Sequence, residues 1–307
     1  MEKGLKNFPF NGILGNEIDK EEQSMSKVII SADSTCDLPQ ELVARYDVHV
    51  IPLHVRLGEE SYRDGVDVDA SKIYAYYDEC KALPTTAAIN IDEYTEHFQS
   101  LLTEGDSVVH ICTGSAISSC CQNARIAAEE VGNVYVVDSL NLSSGIGLQV
   151  ITAAEKAAAG MAASQIAAEV EALRPHCHAS FILDTLEYLY KGGRCSALAM
   201  FGANVLKLRP AIQVDPQTGT MGVGKKHRGT LERAMEEYIR DELTGKDFLT
   251  DHVFFTHSGL SPERVELGVE LVKKYGKFKE IHIAQAGSTI SSHCGPNCLG
   301  VLYFTKP

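Results

Sequence analysis

The chain has 307 residues, 44% of them apolar, which suits one large domain or two packed ones around a proper core. Lys and Arg number 28 against 41 Asp and Glu, a formal charge of −13; such a surface repels polyanions, so nucleic acid is not an expected partner and a DNA-binding regulator is excluded. The nine cysteines stand singly or as the neighbours Cys120 and Cys121, with no CxxC pair, and read as reduced thiols of a cytoplasmic protein.

Residues 1–26 are charged throughout and lack a basic start followed by an apolar core, so they are expected to be a tag or disordered extension, with Met25 a candidate native start, and not a secretion signal. The segment "KVIISAD" predicts a strand, and Asp37 with Gln40 predicts a capping box heading a helix over "LPQELVARY". "VHVIPLHVRL" reads as strand, "SKIYAYYDEC" as helix, and "IDEYTEHFQSLL" as a helix headed by Asn90 with Glu93 as its box partner. The apolar run Val108–Cys112 then breaks into Thr113, Gly114, Ser115, Ser118 and Ser119, where Ser119 and Gln122 predict a capping box for "CCQNARIAAEEV". Strand "NVYVVD" and one long alanine-rich helix follow; Glu155, Lys156 and Glu169 inside that helix mark it as packed and exclude a membrane span. The rhythm is that of a parallel sheet covered by helices, whose ligands bind outside the carboxyl ends of the strands.

From about Arg174 the rhythm changes. "HASFILDTLEYLYKGGR" pairs a strand with a helix closed by Gly192 and Gly193, and "RPAIQVDPQTGTMGVGKK" predicts a hairpin around Gly219. A helix, strand "HVFFTHSG", another helix, strand "EIHIAQAG" and a last strand "GVLYF" complete the chain. The expected fold is α/β, with a parallel domain over 27–172 and a second α/β domain with a mixed sheet over 173–307.

The hydroxyl-rich corner after Cys112 asks for a ligand. One cap needs one hydroxyl, and Ser119 supplies it; Ser115 and Ser118 then remain at a helix N-terminus with spare N–H groups, an arrangement suited to a small anion. A second corner, "LPTTAAIN", carries Thr85 and Thr86, each by itself an ordinary turn residue, and a third cluster, "DSLNLSSGIG", follows "NVYVVD". Three such loops surround one crevice if their strands are neighbours.

Taken in order, "SADSTCDLP", the Thr loop at 84–90, "GSAISSCCQNA", "VDSLNLSSGIG", "DTLEYLYKGGRCS", "LKLRPAIQVD", "KHRG", "THSG" and "GSTISSHCGPNCLG" resemble the DegV family of bacterial fatty-acid-binding proteins, from about Lys27 to Phe304. The resemblance implies two α/β domains, a buried fatty acid of palmitate, stearate or oleate type, and, as in some members, service as the lipid-presenting subunit of a fatty acid kinase, with acyl phosphate formed by the partner. Thr86 matches the family's carboxylate-binding threonine, while Ala87, Ile89 and Asn90 depart from its pattern. Ser115 and Ser118 keep two positions of the serine loop, in which Gly114, Ser119 and Cys120 depart; His293, Gly295 and Pro296 keep the late histidine region. The implied carboxylate ligands are Thr86, Ser115, Ser118 and His293, with Gly114, Ser119 and His257 as additional candidates. Arg194 and Arg228 match arginine positions of the family and are read as a patch for a partner or phosphate; the competing reading of the basic set Arg194, Arg209, Lys225, Lys226 and Arg228 is a solvated hairpin face.

A fatty acid needs a dry slot and one polar anchor, since each buried methylene contributes about 0.8 kcal/mol while a buried carboxylate is costly unless hydrogen-bonded. Hydroxyls and backbone N–H groups supply that anchor without an unpaired countercharge. The rival reading is a serine hydrolase of lipid esters, with Ser115 or Ser118 as nucleophile and His293 as base, but no G-x-S-x-G elbow is present. His176 and His178 have no further ligands at a recognisable spacing, so no metal and no cofactor beyond the lipid is expected, and the protein reads as a carrier without catalytic residues of its own.

Overall fold

The structure, a computed structural model, describes Met1, residues 26–197 and residues 208–307. The extension expected over 1–26 lies, but for its two ends, outside the described residues.

The N-terminal part runs β1 (Val28–Asp33), α1 (Gln40–Arg45), β2 (Val48–Ile51), β3 (His54–Leu57), β4 (Glu60–Arg63), α2 (Ala70–Cys80), β5 (Thr85–Ala87), α3 (Ile91–Leu101), β6 (Ser107–Cys112), α4 (Cys120–Val131), β7 (Val134–Asp138), α5 (Ser144–Ala158) and α6 (Ala163–Leu173). Strands β2, β1, β6 and β7 form a parallel sheet in that order. All but the first residue of β1 and of β6 is buried, the near-continuous apolar run that a sheet covered on both faces demands. The expected box at Asn90 forms: Asn90 Oδ1 accepts from Glu93 N–H at 2.9 Å and Glu93 Oε2 from Asn90 N–H at 3.0 Å.

Four local expectations need correction. "VHVIPLHVRL" is two strands, broken at Pro52, which has no N–H for a ladder; the second half turns away as the centre of a three-stranded antiparallel sheet, β4-β3-β5. The alanine-rich stretch is also two helices, parted at Gly160, whose φ of 81° continues no right-handed helix. Asp37 caps nothing locally: it sits at φ 50° after a 3₁₀ turn over Ser34–Cys36, and α1 starts behind Pro39 with no side-chain cap. Its carboxylate bonds instead to groups far along the chain. Ser119 heads α4 without a side-chain cap, and Ser118 Oγ accepts the Cys120 N–H at 3.2 Å in its place.

The C-terminal part runs β8 (Cys177–Ile182), α7 (Glu187–Gly192), β9 (Leu208–Val214), β10 (Met221–Arg228), α8 (Leu231–Leu243), β11 (Phe248–Ser258), α9 (Pro262–Tyr275), β12 (Glu280–Gln285), α10 (Ser288–Cys294) and β13 (Cys298–Thr305). Six strands order as β10-β9-β8-β13-β11-β12, with β11 and β12 parallel and the other pairs antiparallel, so the sheet is mixed as expected. The hairpin turns through Gly219 at φ 70°, and α7 closes on Gly193 at φ 69°.

Helix α5 joins the two sheets. It packs on β1 and β6 on one side and on β8, β11 and β13 on the other, and Ile146, Leu148, Val150 and Ile151 belong to one core shared with Val109, Phe254 and Leu302. At Gly147 a Cβ would come within 2.9 Å of Cys36 O, so only glycine lets the helix approach the 3₁₀ turn this closely.

Candidate functional site

A cleft of about 290 Å³ opens beyond the carboxyl end of β6, between the start of α4, strand β5 and helix α10. Thr86, Ser118, Ser119, Thr289, His293 and Arg194 line it, with Thr35 and Thr113 on its floor side. Residues 207 apart in sequence meet here: Thr86 Oγ1 lies 2.8 Å from His293 Nε2. The geometry brings together Thr86, Ser118, Ser119 and His293. It does not bring Ser115, which is exposed on the outer side of the loop with its N–H donating to Asp138 Oδ1 at 3.1 Å. Gly114 is buried behind the loop, where a Cβ would fall 2.8 Å from Asn141 N. Its contribution is a close backbone approach.

Proton accounting separates usable donors from committed ones. Thr113 Oγ1 donates to Asp33 Oδ2 at 2.7 Å, so the 2.6 Å contact between Thr35 and Thr113 is made with Thr35 as donor. Both hydroxyl protons are thereby used. Burial opposes the charge on Asp33, but hydrogen bonds from His110, Tyr94 and Thr113 outweigh it and hold the carboxyl below its ordinary range. Thr289 is different: its Oγ1 is buried and has no partner among the described residues. An unpaired buried hydroxyl on the wall of a cleft is a donor available to a ligand.

His293 is also only half used. Burial, with the Arg194 charge adding to it, pulls the ring down to about 4, so it is neutral at physiological pH, and its Nδ1 is buried without a partner among the described residues. A Cβ on Gly192 would stand 2.5 Å from that nitrogen, so the glycine at the end of α7 makes room for the ring. The sequence pattern places His293 in a turn-rich stretch. The structure places it on helix α10 instead, four residues after Thr289, so both side chains project from one face.

Helix α10 is held from the N-terminal part. Asp37 accepts the Gly287 N–H at 2.9 Å and the Ser143 hydroxyl at 2.5 Å; Asp64 accepts the Ser288 N–H at 2.8 Å, the Ser288 hydroxyl at 2.5 Å and the Ser34 hydroxyl at 2.9 Å. Two acidic side chains, Asp37 and Asp64, thus fix the first turn of the helix that presents Thr289 and His293. Burial pushes Asp37 up to about 8, with the Asp64 charge adding and its two hydrogen bonds opposing.

The hydroxyl loop after β7 does not reach the cleft. Ser143 and Ser144 are buried on Asp37 and on Thr256, the latter at 2.7 Å, so two of the three expected loops meet and the third braces them. Leu142 and Ser143 instead line a narrow, mainly apolar slot of about 40 Å³ behind α10, with Phe181, His257, Cys298 and Leu302. Ile290 borders both spaces. His257 lies in this slot and not among the cleft hydroxyls; burial lowers its pKa, and its Nδ1 accepts the Leu260 N–H at 3.4 Å.

Among the basic residues, Arg194 reaches the cleft mouth and donates to Gly192 O at 2.8 Å. Arg209 pairs with Asp184 at 2.6 Å and Lys225 with Asp241, as on a solvated face, while Arg228 stands exposed at the end of β10. His178 pairs with Glu242 at 2.5 Å.

The profile described as "Uncharacterised protein, DegV family" matches residues 27–306. A DegV domain-containing protein of Caldanaerobacter subterraneus is 31% identical over 286 residues, 92% of this chain and 100% of the relative. The fatty-acid-binding DegV family protein of Thermus thermophilus superposes with a TM-score of 0.82 at 29% identity, over 91% of this chain and 100% of the other. A stearic acid-binding protein from Eubacterium ventriosum superposes with a TM-score of 0.77 at 25% identity, over 91% and 98%.

Proposed function

The chain belongs to the DegV family, and on that premise we propose that it binds a long-chain fatty acid, with the carboxylate held in the cleft by Thr86, Ser118, Thr289 and His293 and the tail taken past Ile290 into the apolar slot. The observation that carries this reading is the Thr86–His293 contact at 2.8 Å in a cleft that shares Ile290 with a slot lined mainly by apolar side chains. A hydroxyl-lined mouth anchors one charge, and a dry interior rewards each methylene by about 0.8 kcal/mol. At about 40 Å³ the slot has to widen, by displacement of Ile290 and its neighbours, before a long chain can enter. A hydrolase needs a serine bonded to its base. Here Thr86 occupies His293 Nε2, and Ser118 Oγ receives the Cys120 N–H.

In this reading the protein presents the acid to a kinase that forms the acyl phosphate, and Arg194 and Arg228 lie on the surface that meets it. Arg228→Glu is expected to keep the rise in melting midpoint that oleate produces and to lower acyl phosphate formation by a supplied fatty acid kinase subunit roughly tenfold, because rim charges act on encounter. Arg194→Glu, at the cleft mouth, lowers both. Unchanged turnover with both variants contradicts docking at this rim, and a parent protein whose midpoint ignores oleate contradicts acyl binding itself.

A further inference from the structure

Far from the cleft, β11 and β12 carry a donor cluster that neither lipid binding nor partner docking uses. His252 and Glu280 are register partners on the two parallel strands, and His282 follows Glu280 by two residues, so all three project from one face of the sheet. Their ligating atoms lie within 4.8 Å of one another, and His252 and Glu280 line a cleft of about 340 Å³ that has room for water ligands, with His282 buried behind them. His252 Nδ1 is 3.0 Å from His282 Nε2, with the rings stacked at 5.2 Å. On its far side His252 Nε2 lies 3.2 Å from Glu155 Oε1 of α5.

We propose that His252, His282 and Glu280 form a site for a divalent transition ion of the zinc class, with Glu155 orienting His252 from behind. Two imidazoles and a carboxylate, with a water in the fourth position, are a zinc donor set, whereas magnesium and calcium ask for oxygen alone. Two ring nitrogens around a tetrahedral zinc with 2.0–2.1 Å bonds stand roughly 3.3 Å apart, so the 3.0 Å pair opens only slightly to admit the ion. The ion then takes the place of the proton shared between the rings. The Glu155–His252 contact has the form of the carboxylate–histidine–metal arrangement, in which the outer carboxylate fixes the tautomer and raises ligand basicity. Glu280 is paired in bidentate fashion with Arg45, at 2.6 and 3.0 Å, and each of its oxygens keeps a second lone pair for the metal. Because Glu155 and Arg45 belong to α5 and α1, an ion here ties the mixed sheet to the N-terminal part. The pattern is hard to see in sequence, since the donors come from two strands 28 residues apart, paired in register, and the orienting carboxylate from a distant helix.

The test is calorimetric titration of the full chain with zinc chloride after chelator treatment and exhaustive dialysis, with magnesium chloride as control, alongside melting curves with each ion. The expected result is one zinc per chain, a raised melting midpoint and no response to magnesium. His282→Gln, which keeps volume, and His252→Ala each lower zinc affinity by at least about a hundredfold, and Glu155→Gln lowers it by roughly ten- to a hundredfold while leaving the stoichiometry intact. Unchanged zinc binding in the His252→Ala, His282→Gln double variant shows that the metal binds elsewhere on the chain and overturns the proposal, as does an absence of zinc binding to the parent. A magnesium response equal to that of zinc overturns it as well, since imidazole would then contribute nothing.

Discussion

His293→Ala and Ser118→Ala are each expected to weaken binding of oleate by roughly ten- to a hundredfold and to leave binding of methyl oleate nearly unchanged. A hydrogen bond to a charged carboxylate contributes about 1.5 to 3 kcal/mol, while the ester offers no charge to hold. Thr86→Val has a larger reach, because it removes its own hydroxyl and also strands His293 Nε2, whose partner it is at 2.8 Å. Thr289→Val should act like Ser118→Ala: its hydroxyl makes no other bond among the described residues, so the substitution costs the free protein little and the bound acid much. The measurement is a paired titration of acid and ester on the parent and each variant. Equal losses for acid and ester would mean that these side chains shape the slot and do not clamp a carboxylate. Ester cleavage that disappears in Ser118→Ala would instead establish the hydrolase.

How much of this was legible beforehand differs by element. The β1 and β6 strands, the Asn90 box and the Gly219 hairpin follow from local rules, and the structure keeps them. Ser118 and Thr86 stood out by themselves as hydroxyls of loops leading into helices, but their meeting with His293 was legible only through the family resemblance, since no local rule brings together residues that far apart. Thr289 was missed because α10 is a seven-residue helix with no side-chain cap, too short for its periodicity to stand out of "GSTISSHC". Once the helix is recognised, the four-residue spacing from Thr289 to His293 is the signal. Asp37 shows a local rule overridden: Asp-x-x-Gln looks like a capping box, yet burial at a junction gave the carboxylate stronger partners at Gly287 and Ser143. Ser119 fails as a cap as well: its side chain accepts none of the first amides of α4, and the one bonded to a serine hydroxyl, that of Cys120, goes to Ser118.

Asp37 also governs a large effect on stability. Its native pKa of about 8 stands above an ordinary value of 3.8, so the folded state binds a proton that the unfolded chain releases. Below about pH 4 both states are protonated and the group changes nothing. As pH rises from about 4 through about 8, native stability falls, because the buried carboxyl must ionise or hold its proton against the solvent; about four units at 1.36 kcal/mol each give on the order of 5 kcal/mol as an upper bound. Asp37→Asn keeps an acceptor for the Gly287 N–H and carries no charge, so it is expected to flatten that slope and to be more stable than the parent above pH 8. Denaturant midpoints measured from pH 4 to 9 on both proteins decide the matter. Parallel pH profiles would mean that Asp37 stays ionised in the native protein and that its strap to α10 works as an anion. Asp64→Ala, by contrast, is expected to destabilise at every pH in this range by about 2 kcal/mol or more, since it strands the Ser288 amide and leaves the Ser288 hydroxyl only the longer contact to Val68 O and the Ser34 hydroxyl proton without its acceptor.

The central claim is that this chain holds one long acyl chain by its carboxylate, and mass spectrometry of the protein purified without added lipid tests it most directly. Under native ionisation the account predicts a mass shift that matches palmitate, stearate or oleate at near-equimolar occupancy, and organic extraction of the same sample should release that free acid. The Ser118→Ala, His293→Ala double variant should carry far less of it. A parent protein that emerges at its bare mass, and that acquires no adduct after incubation with oleate and removal of the excess, would contradict the account.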